Sequence, residues 1–242
     1  MPKNRIHAFT ISLEGFAAGP HQDHEHPMGA GAENLHAWLR GTRTFQLEVL
    51  GQDREGETGP DDDFAARGFE GIGAWIMGRN MFGPLRGPWR DDDWRGWWGE
   101  TPPYHCDVFV LTNHRRAAIE MDGGTVFHFV TDGIHAALER AKASAGQQDV
   151  RIGGGVSTLR QYLQAGLVDE MHVAVSPILL GTGEHLLGGI DLVECGFNHV
   201  EYVPTSAAAH YVLSKSENRG SAEPAEAASA PPPSSSGCNG SL

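Results

Sequence analysis

Apolar and polar side chains alternate through residues 5–15, with Phe9, Ile11 and Leu13 on one face. A period of two predicts a half-buried strand. Leu35, Trp38 and Leu39 recur instead at helical spacing, which predicts a short helix over residues 34–40. Residues 42–63 are rich in acids and glycines and show no clear period beyond a possible helix start. A short helix is predicted over 64–71 and a buried strand over 74–78. Residues 80–105 read as a long loop that holds Trp89, Trp94, Trp97 and Trp98 among glycines, prolines and three consecutive aspartates. Apolar runs at 107–112 and 126–131 predict two more strands. Ile134, Leu138 and Ala141 mark one stripe of a helix over 134–145. A strand over 149–152 runs into Gly153-Gly154-Gly155. Val156, Leu159, Tyr162 and Leu163 then line the inner side of a helix over 156–165. A strand is expected over 171–176, and a closing hairpin from 199–204 and 209–214. Strands alternating with helices predict an α/β domain whose largely parallel sheet is covered on both faces.

Composition narrows the picture. In a chain of 242 residues, a hydrophobic fraction of 40% is enough for one substantial core. From residue 217 onward Ala, Ser, Pro and Gly dominate, so 217–242 is expected to be a disordered tail and 1–216 the folded domain. No apolar run reaches the length of about 18 residues that spans a bilayer, and the first residues lack the apolar core of a secretory leader. Cys106, Cys195 and Cys238 are far apart and form no CxxC pair. A disulfide framework or zinc site is therefore not expected, and a reducing cytoplasm is. The net charge of −13 repels phosphate backbones, so nucleic-acid binding is not expected. A local basic pocket for one phosphorylated small molecule is compatible with that charge.

Candidate chemistry gathers where strands end. The run 149–159 is a strand, three glycines and a helix start. Gly153, Gly154 and Gly155 let a ligand approach the backbone, and the helix from Val156 offers unpaired N–H groups to a phosphate. Ser157 and Thr158 add hydroxyl donors. A tight turn needing positive φ would use the same glycines. The pattern is not GxGxxG, because the last glycine is missing. A second strand ends in Gly78-Arg79-Asn80, where Arg79 is either a phosphate ligand or an ordinary surface arginine. A third ends in Thr112-Asn113-His114-Arg115-Arg116, either a site for a ribose 2′-phosphate or a solvated turn. Glu14, in Ser-Leu-Glu-Gly-Phe, either holds a substrate amine and relays a proton through water, or caps a turn. The run His21-Gln22-Asp23-His24-Glu25-His26 has the composition of metal ligands. It lies in a Gly/Pro loop without HExxH spacing, so a mobile loop over the cleft is expected instead, and no metal. No GxSxG elbow supports a serine hydrolase. The four tryptophans can stack on a ring, or pack the long loop or a subunit interface.

Six motifs share an order with a known family. They are Ser-Leu-Glu-Gly-Phe, Ile-Met-Gly-Arg-Asn-Met-Phe, Phe-Val-Leu-Thr-Asn-His, Phe-Val-Thr-Asp-Gly-Ile, Ile-Gly-Gly-Gly-Val-Ser-Thr and Leu-Val-Asp-Glu-Met-His-Val-Ala-Val-Ser-Pro-Ile-Leu-Leu-Gly-Thr-Gly. Over about residues 4–214 the chain resembles the dihydrofolate reductase family, and within it the C-terminal reductase domain of the bifunctional riboflavin-biosynthesis deaminase/reductase. The resemblance implies a three-layer α/β/α fold with a mixed, mostly parallel central sheet and an NADPH cleft. It implies a first phosphate loop at Gly78, Arg79, Asn80 and Met81, and an adenosine end at Thr112, Asn113, His114 and Arg115. The pyrophosphate falls to Gly153–Gly155 with Val156, Ser157 and Thr158, and Thr131-Asp132 lies beside the cofactor. It also implies a homodimer, to which the apolar stretch 171–180 would contribute.

Glu14 stands where the riboflavin enzymes usually carry Asp. Glu33 and Asn34 lie near the acid of dihydrofolate reductases, and the zinc motif of the deaminase half has no match. The resulting expectation is an NADPH-dependent reductase passing a hydride to a C=N or C=O carbon of a small molecule. A ribosylaminopyrimidine phosphate and a dihydropterin are candidates. Glu14 would orient the substrate or relay a proton, with Glu33 and His36 assisting. The rival readings are a non-catalytic NADP(H)-binding module and a metal enzyme built on His24 and His26.

Overall fold

The alternating pattern near the start of the chain folds as strand β1, Asn4–Ile11, in the interior of the main sheet. A computed structural model describes residues 1–52, 56–83, 86–89 and 94–215, so the tail expected over 217–242 lies outside the described residues. The other strands of the main sheet are β3 (Ile72–Gly78), β4 (Asp107–Leu111), β5 (Ile119–Glu120), β6 (Val126–Val130), β7 (Asp149–Gly154), β8 (Glu170–Val175), β10 (Phe197–Pro204) and β11 (Ala209–Lys215). Their spatial order is β10-β11-β8-β1-β7-β3-β4-β6-β5. The six strands from β8 to β6 run parallel, and β5, β10 and β11 are antiparallel additions at the edges. A small separate ribbon pairs β2 (Phe16–Ala18) with β9 (Glu184–His185). The sheet is therefore mixed and mostly parallel.

Side chains of β3 show why its apolar run has no gaps. Ala74 and Ile76 pack into a core with Ala137 and Leu138 of helix α4 (Gly133–Ala145) and Leu159 and Tyr162 of helix α5 (Val156–Gln164). Trp75 and Met77 point the other way, into a cluster with Phe82, Tyr104, Val110 and Phe127. A strand buried on both faces needs apolar residues at every position. On that second face lies a further cluster of Trp38, Phe64 and Ala65 against Ala174 and Val212. Trp38 comes from the one-turn helix α1 (Ala37–Arg40), and Phe64 and Ala65 from helix α2 (Pro60–Arg67). The result is the three-layer α/β/α arrangement expected from the motifs.

Several boundaries differ from the sequence pattern. Strand β1 stops at Ile11, because the chain turns at Ser12, whose N–H donates to the Phe16 carbonyl. Gly15 closes that turn at φ +90°, a conformation suited to glycine. The helix expected over 34–40 shrinks to α1, because Leu35 and Ala37 make turn-type i to i+3 bonds before it. Helix α2 starts four residues before its expected position. Pro60 sits in its first turn, where no N–H is needed, and Asp61, Asp62 and Asp63 face the positive helix end. Beside it, Phe45–Val49 forms one π-helical turn. The loop expected over 80–105 opens with a one-turn helix, α3 (Arg79–Phe82). The stretch 171–180 divides, with Leu179 exposed and Ile178 and Leu180 half-buried beyond the end of β8. Met171, Val173 and Ala174 are buried in β8, between β1 and β11. Among the described residues no helix is long and apolar enough to cross a membrane.

Candidate cofactor and substrate site

The carboxyl ends of β3, β4, β6 and β7 open into one cavity of about 1180 Å³. Ligands of open α/β sheets bind at such strand ends. Gly78, Arg79, Asn80, Met81, Thr112, Asn113, His114 and Thr131 all stand on its wall. So do Gly153, Gly154, Gly155, Val156, Ser157 and Thr158. Four segments far apart in sequence thus meet in space. Arg115 is exposed and lies off this wall, in a second hollow of about 720 Å³ that shares Asn113 and His114 with it.

Local geometry explains the glycines. No side chain caps α5 at Gly155, where among the described residues only the Thr158 N–H of the first turn bonds back, to the Gly155 carbonyl at 3.0 Å. A Cβ placed on Gly155 would meet nothing within 4 Å, which marks open space beside the start of the helix. Gly154 has φ +132°, where an L side chain is strained. At Gly78 the constraint is close approach instead. A Cβ there would lie 2.3 Å from Oγ1 of Thr158, so the end of β3 presses on the first turn of α5.

Next to this turn, the Arg79 guanidinium lies 3.2 Å from the centroid of the Trp89 indole. Its Nη1 donates to the Gly87 carbonyl at 3.0 Å, while its Nε is buried with no hydrogen-bond partner among the described residues. Arg116 reaches the same indole, 4.8 Å from its centroid. Burial, with Arg116 nearby, lowers the pKa of Arg79. Two guanidiniums on one ring, one with an orphaned N–H, make a setting that an anion would stabilise.

Of the other wing of the cavity, the sequence pointed only to Trp98, as a ring able to stack, and to His36. A bulge in β1 between Ile6 and Phe9, with Ala8 at φ +50°, brings His7, Ala8 and Thr10 to its floor. Aromatic rings make the walls. Trp75 and Tyr104 meet edge to face at 4.9 Å, and Phe45 approaches Trp98 at 6.5 Å. The Trp98 Nε1–H donates to the Tyr104 hydroxyl at 3.2 Å. Arg151 is buried beneath them, 4.1 Å from the Trp75 centroid. Its Nη1 donates to the Gly68 carbonyl and its Nη2 to that of His7. Burial pulls Arg151 down to about 9 and pushes Tyr104 up to about 12. The one sequence signal for Arg151 is a charged residue inside the apolar run Val150-Arg151-Ile152.

The three expected catalytic residues separate. His36 is on the cavity wall, and burial beside Arg40 lowers it to about 4, so it is neutral near pH 7. Glu14 is off the wall. Its carboxylate accepts N–H bonds from Leu180 at 2.7 Å and Gly181 at 3.2 Å, which ties down the loop after β8. The turn at Ser12 carries Glu14 away before it reaches the cavity. These bonds are of the capping kind that the sequence also allowed for Glu14. Glu33 is exposed and also off the wall. In the His21–His26 loop, His24 packs on Trp94 and Trp97 at 5.4 and 5.7 Å. Gln22, Pro27 and Met28, in and after that loop, stand on the cavity wall. Among the described residues no group of three His, Cys, Asp or Glu side chains is placed to hold a metal ion.

The family model of the RibD C-terminal domain matches residues 6–209. The chain belongs to that family. A relative by sequence is the uncharacterized protein YyaP of Bacillus subtilis (strain 168), 31% identical over 93 residues. That match covers 36% of this chain and 48% of YyaP, about half of its length. A solved structure from Shewanella sp. PV-4, named for riboflavin biosynthesis, superposes with a TM-score of 0.52 at 21% identity. It covers 89% of this chain and 99% of the other, and shows that the fold is shared.

Proposed function

We propose that this RibD C-terminal domain protein is an NADPH-dependent reductase of a small molecule carrying a C=N or C=O bond. The observation that carries the reading is the convergence of four strand-end segments on one cavity, with the Arg79–Trp89 pair at its edge. The residues present fit a dinucleotide phosphate. Open space lies beside the start of α5, and Arg79 keeps a buried N–H without a partner among the described residues. In this reading Gly153–Gly155 and the first turn of α5, with Ser157 and Thr158, hold the pyrophosphate. Arg79, Asn80 and Met81 follow Gly78 along the phosphates, and Thr112, Asn113, His114 and Arg115 take the adenosine end. Bound NADPH supplies the hydride. The protein aligns the two rings and excludes water from between them. We place the enzyme in the cytoplasm as a homodimer, with exposed Val200 and Tyr202 on edge strand β10 as the contact to test by sedimentation.

Calorimetric titration with NADPH and NADH, on the full chain and on Arg79→Ala and Arg115→Ala, tests the reading. NADPH is expected to bind more tightly than NADH, and Arg115→Ala to weaken NADPH toward the NADH value. One charge-assisted phosphate contact corresponds to about ten- to a hundredfold in affinity. Absence of binding by either nucleotide at millimolar concentration overturns the proposal.

One observation favours a second reading, an NADP(H)-binding module without turnover. With Glu14 and Glu33 off the wall, Glu184 is the only carboxylate lining the cavity among the described residues. That reading predicts nucleotide binding without NADPH oxidation by any pterin, pyrimidine or carbonyl compound.

A further inference from the structure

The wing of the cavity away from the glycine turn has a chemistry of its own. Its wall runs from Phe45 through Trp98 and Tyr104 to Trp75, each ring in contact or hydrogen-bonded with the next. Flat apolar surfaces of this kind recognise flat ligands by stacking and by exclusion of water. The polar groups among them are few. Tyr104 accepts the Trp98 N–H, and its own proton has no acceptor among the described residues. Burial keeps that hydroxyl protonated, so it is a hydrogen-bond donor at neutral pH. Arg151 adds a positive charge under the floor, with both Nη atoms already engaged by carbonyls and no carboxylate partner among the described residues.

Two ligand chemistries fit this wing poorly. The amino-amide edge of a pterin or an aminopyrimidine is matched by a carboxylate, which accepts two parallel N–H bonds. Glu184, the one carboxylate on the cavity wall, belongs to the β2–β9 ribbon and already meets Gln22 at 3.4 Å and Arg86 at 3.8 Å. A sugar phosphate is matched by a cluster of cations or a helix N-terminus. Here Arg40 is the one exposed arginine on the aromatic side among the described residues. His36 beside it is neutral near pH 7.

We propose that this wing takes a planar, conjugated carbonyl compound that bears no phosphate, with its ring against Phe45 and Trp98 and its carbonyl oxygen on the Tyr104 hydroxyl. The Arg151 charge favours the electron-rich oxygen end of such a molecule at the floor. The assignment rests on the reductase reading for turnover, but ring binding is separable from nucleotide binding.

The test is calorimetric titration of the full chain, without nucleotide, using three probes: chromone, ribose 5-phosphate and pterin. Chromone is expected to bind with one-to-one stoichiometry. Trp98→Ala and Phe45→Ala are expected to weaken it about tenfold, with Trp98→Phe retaining most of the affinity. Tyr104→Phe, which keeps the ring, is expected to weaken it about fivefold. Ribose 5-phosphate and pterin are expected to bind more weakly than chromone and not to displace it. The proposal is overturned if either binds more tightly than chromone, if chromone does not bind, or if its affinity ignores both Trp98→Ala and Phe45→Ala. Failure of NADPH to bind in a parallel titration would overturn the reductase reading and leave the chromone result standing.

Discussion

Nε2 of His172 lies 3.0 Å from Nδ1 of His210, in a stack closed on one side by the Phe64 ring. The surroundings fix which nitrogen carries each proton. The Ala8 N–H donates to Nδ1 of His172 at 3.1 Å, so that ring bears its proton on Nε2 and donates to His210. His210 in turn donates from Nε2 to Asp61 Oδ1 at 2.7 Å. The array runs from a backbone amide to a carboxylate with both imidazoles neutral, and a second proton on His172 would set two N–H groups face to face.

That array predicts a stability that falls with acid. Burial lowers the pKa of His7 to about 3 and of His36 to about 4, and also lowers those of His172 and His210. Unfolded, each titrates near its ordinary 6.5. Below that pH the unfolded chain binds protons that the folded chain refuses, so stability is full above about pH 6.5 and is lost as pH falls. Each such group contributes a slope approaching ~1.4 kcal/mol per pH unit. Thermal melts should show a Tm that is level from pH 8 to about pH 6.5 and falls from there to pH 4, and a profile flat down to pH 4 would refute the neutral-histidine array.

Asp61 holds the far end of the array and also accepts the Thr205 hydroxyl at 2.9 Å. Asp61→Ala strands two donors, one of them on a fully buried ring. A loss of about 1–3 kcal/mol is expected for the buried one. Urea denaturation of Asp61→Ala beside Asp61→Asn measures it, since Asn keeps an acceptor oxygen and should recover part of the loss.

Glu14→Ala should act on stability rather than on ligand binding. Its carboxylate clamps the Leu180 and Gly181 amides and does not line the cavity. A cost of about 1–3 kcal/mol is expected, with NADPH affinity measured by calorimetry unchanged. A large loss of nucleotide affinity at full folding would return Glu14 to the site.

Gly78→Ala should disrupt the contact between β3 and α5, because the new methyl meets Thr158 Oγ1 at 2.3 Å. The expected outcome is a lower Tm and weaker NADPH binding. Thr158→Ala in the same chain removes the opposing atom and should restore part of both, which a double-mutant cycle reads directly.

Much of the fold was legible because both sheet faces are covered. The unbroken apolar runs of β3 and β4 and the stripe Ile134, Leu138 and Ala141 can be read locally. The glycine turn and the strand-end polar residues were legible for the same reason, since they lie where those patterns stop. Helix α2 was read late, because its N-terminal turn is three aspartates that look like loop until their position at a helix start is known. Of the aromatic wing only Trp98 was legible, as one of four tryptophans able to stack on a ring. Phe45, Trp75, Trp98 and Tyr104 come from four separate segments, and each has an apolar role consistent with ordinary packing. The placement of Glu14 was not legible, because a motif fixes the order of residues but not the direction of a turn.

The bonds from Asp61 to Thr205 and His210 join residues 144 and 149 positions apart. The same helix carries Ala65 to the cavity wall, and Phe69 follows just beyond its end. On the ribosome, a nascent chain that has emerged only as far as residue 204 leaves Asp61 without either partner. One wall of the ligand chamber therefore waits for the hairpin of β10 and β11, and the cavity is among the last parts of the domain to be completed during synthesis.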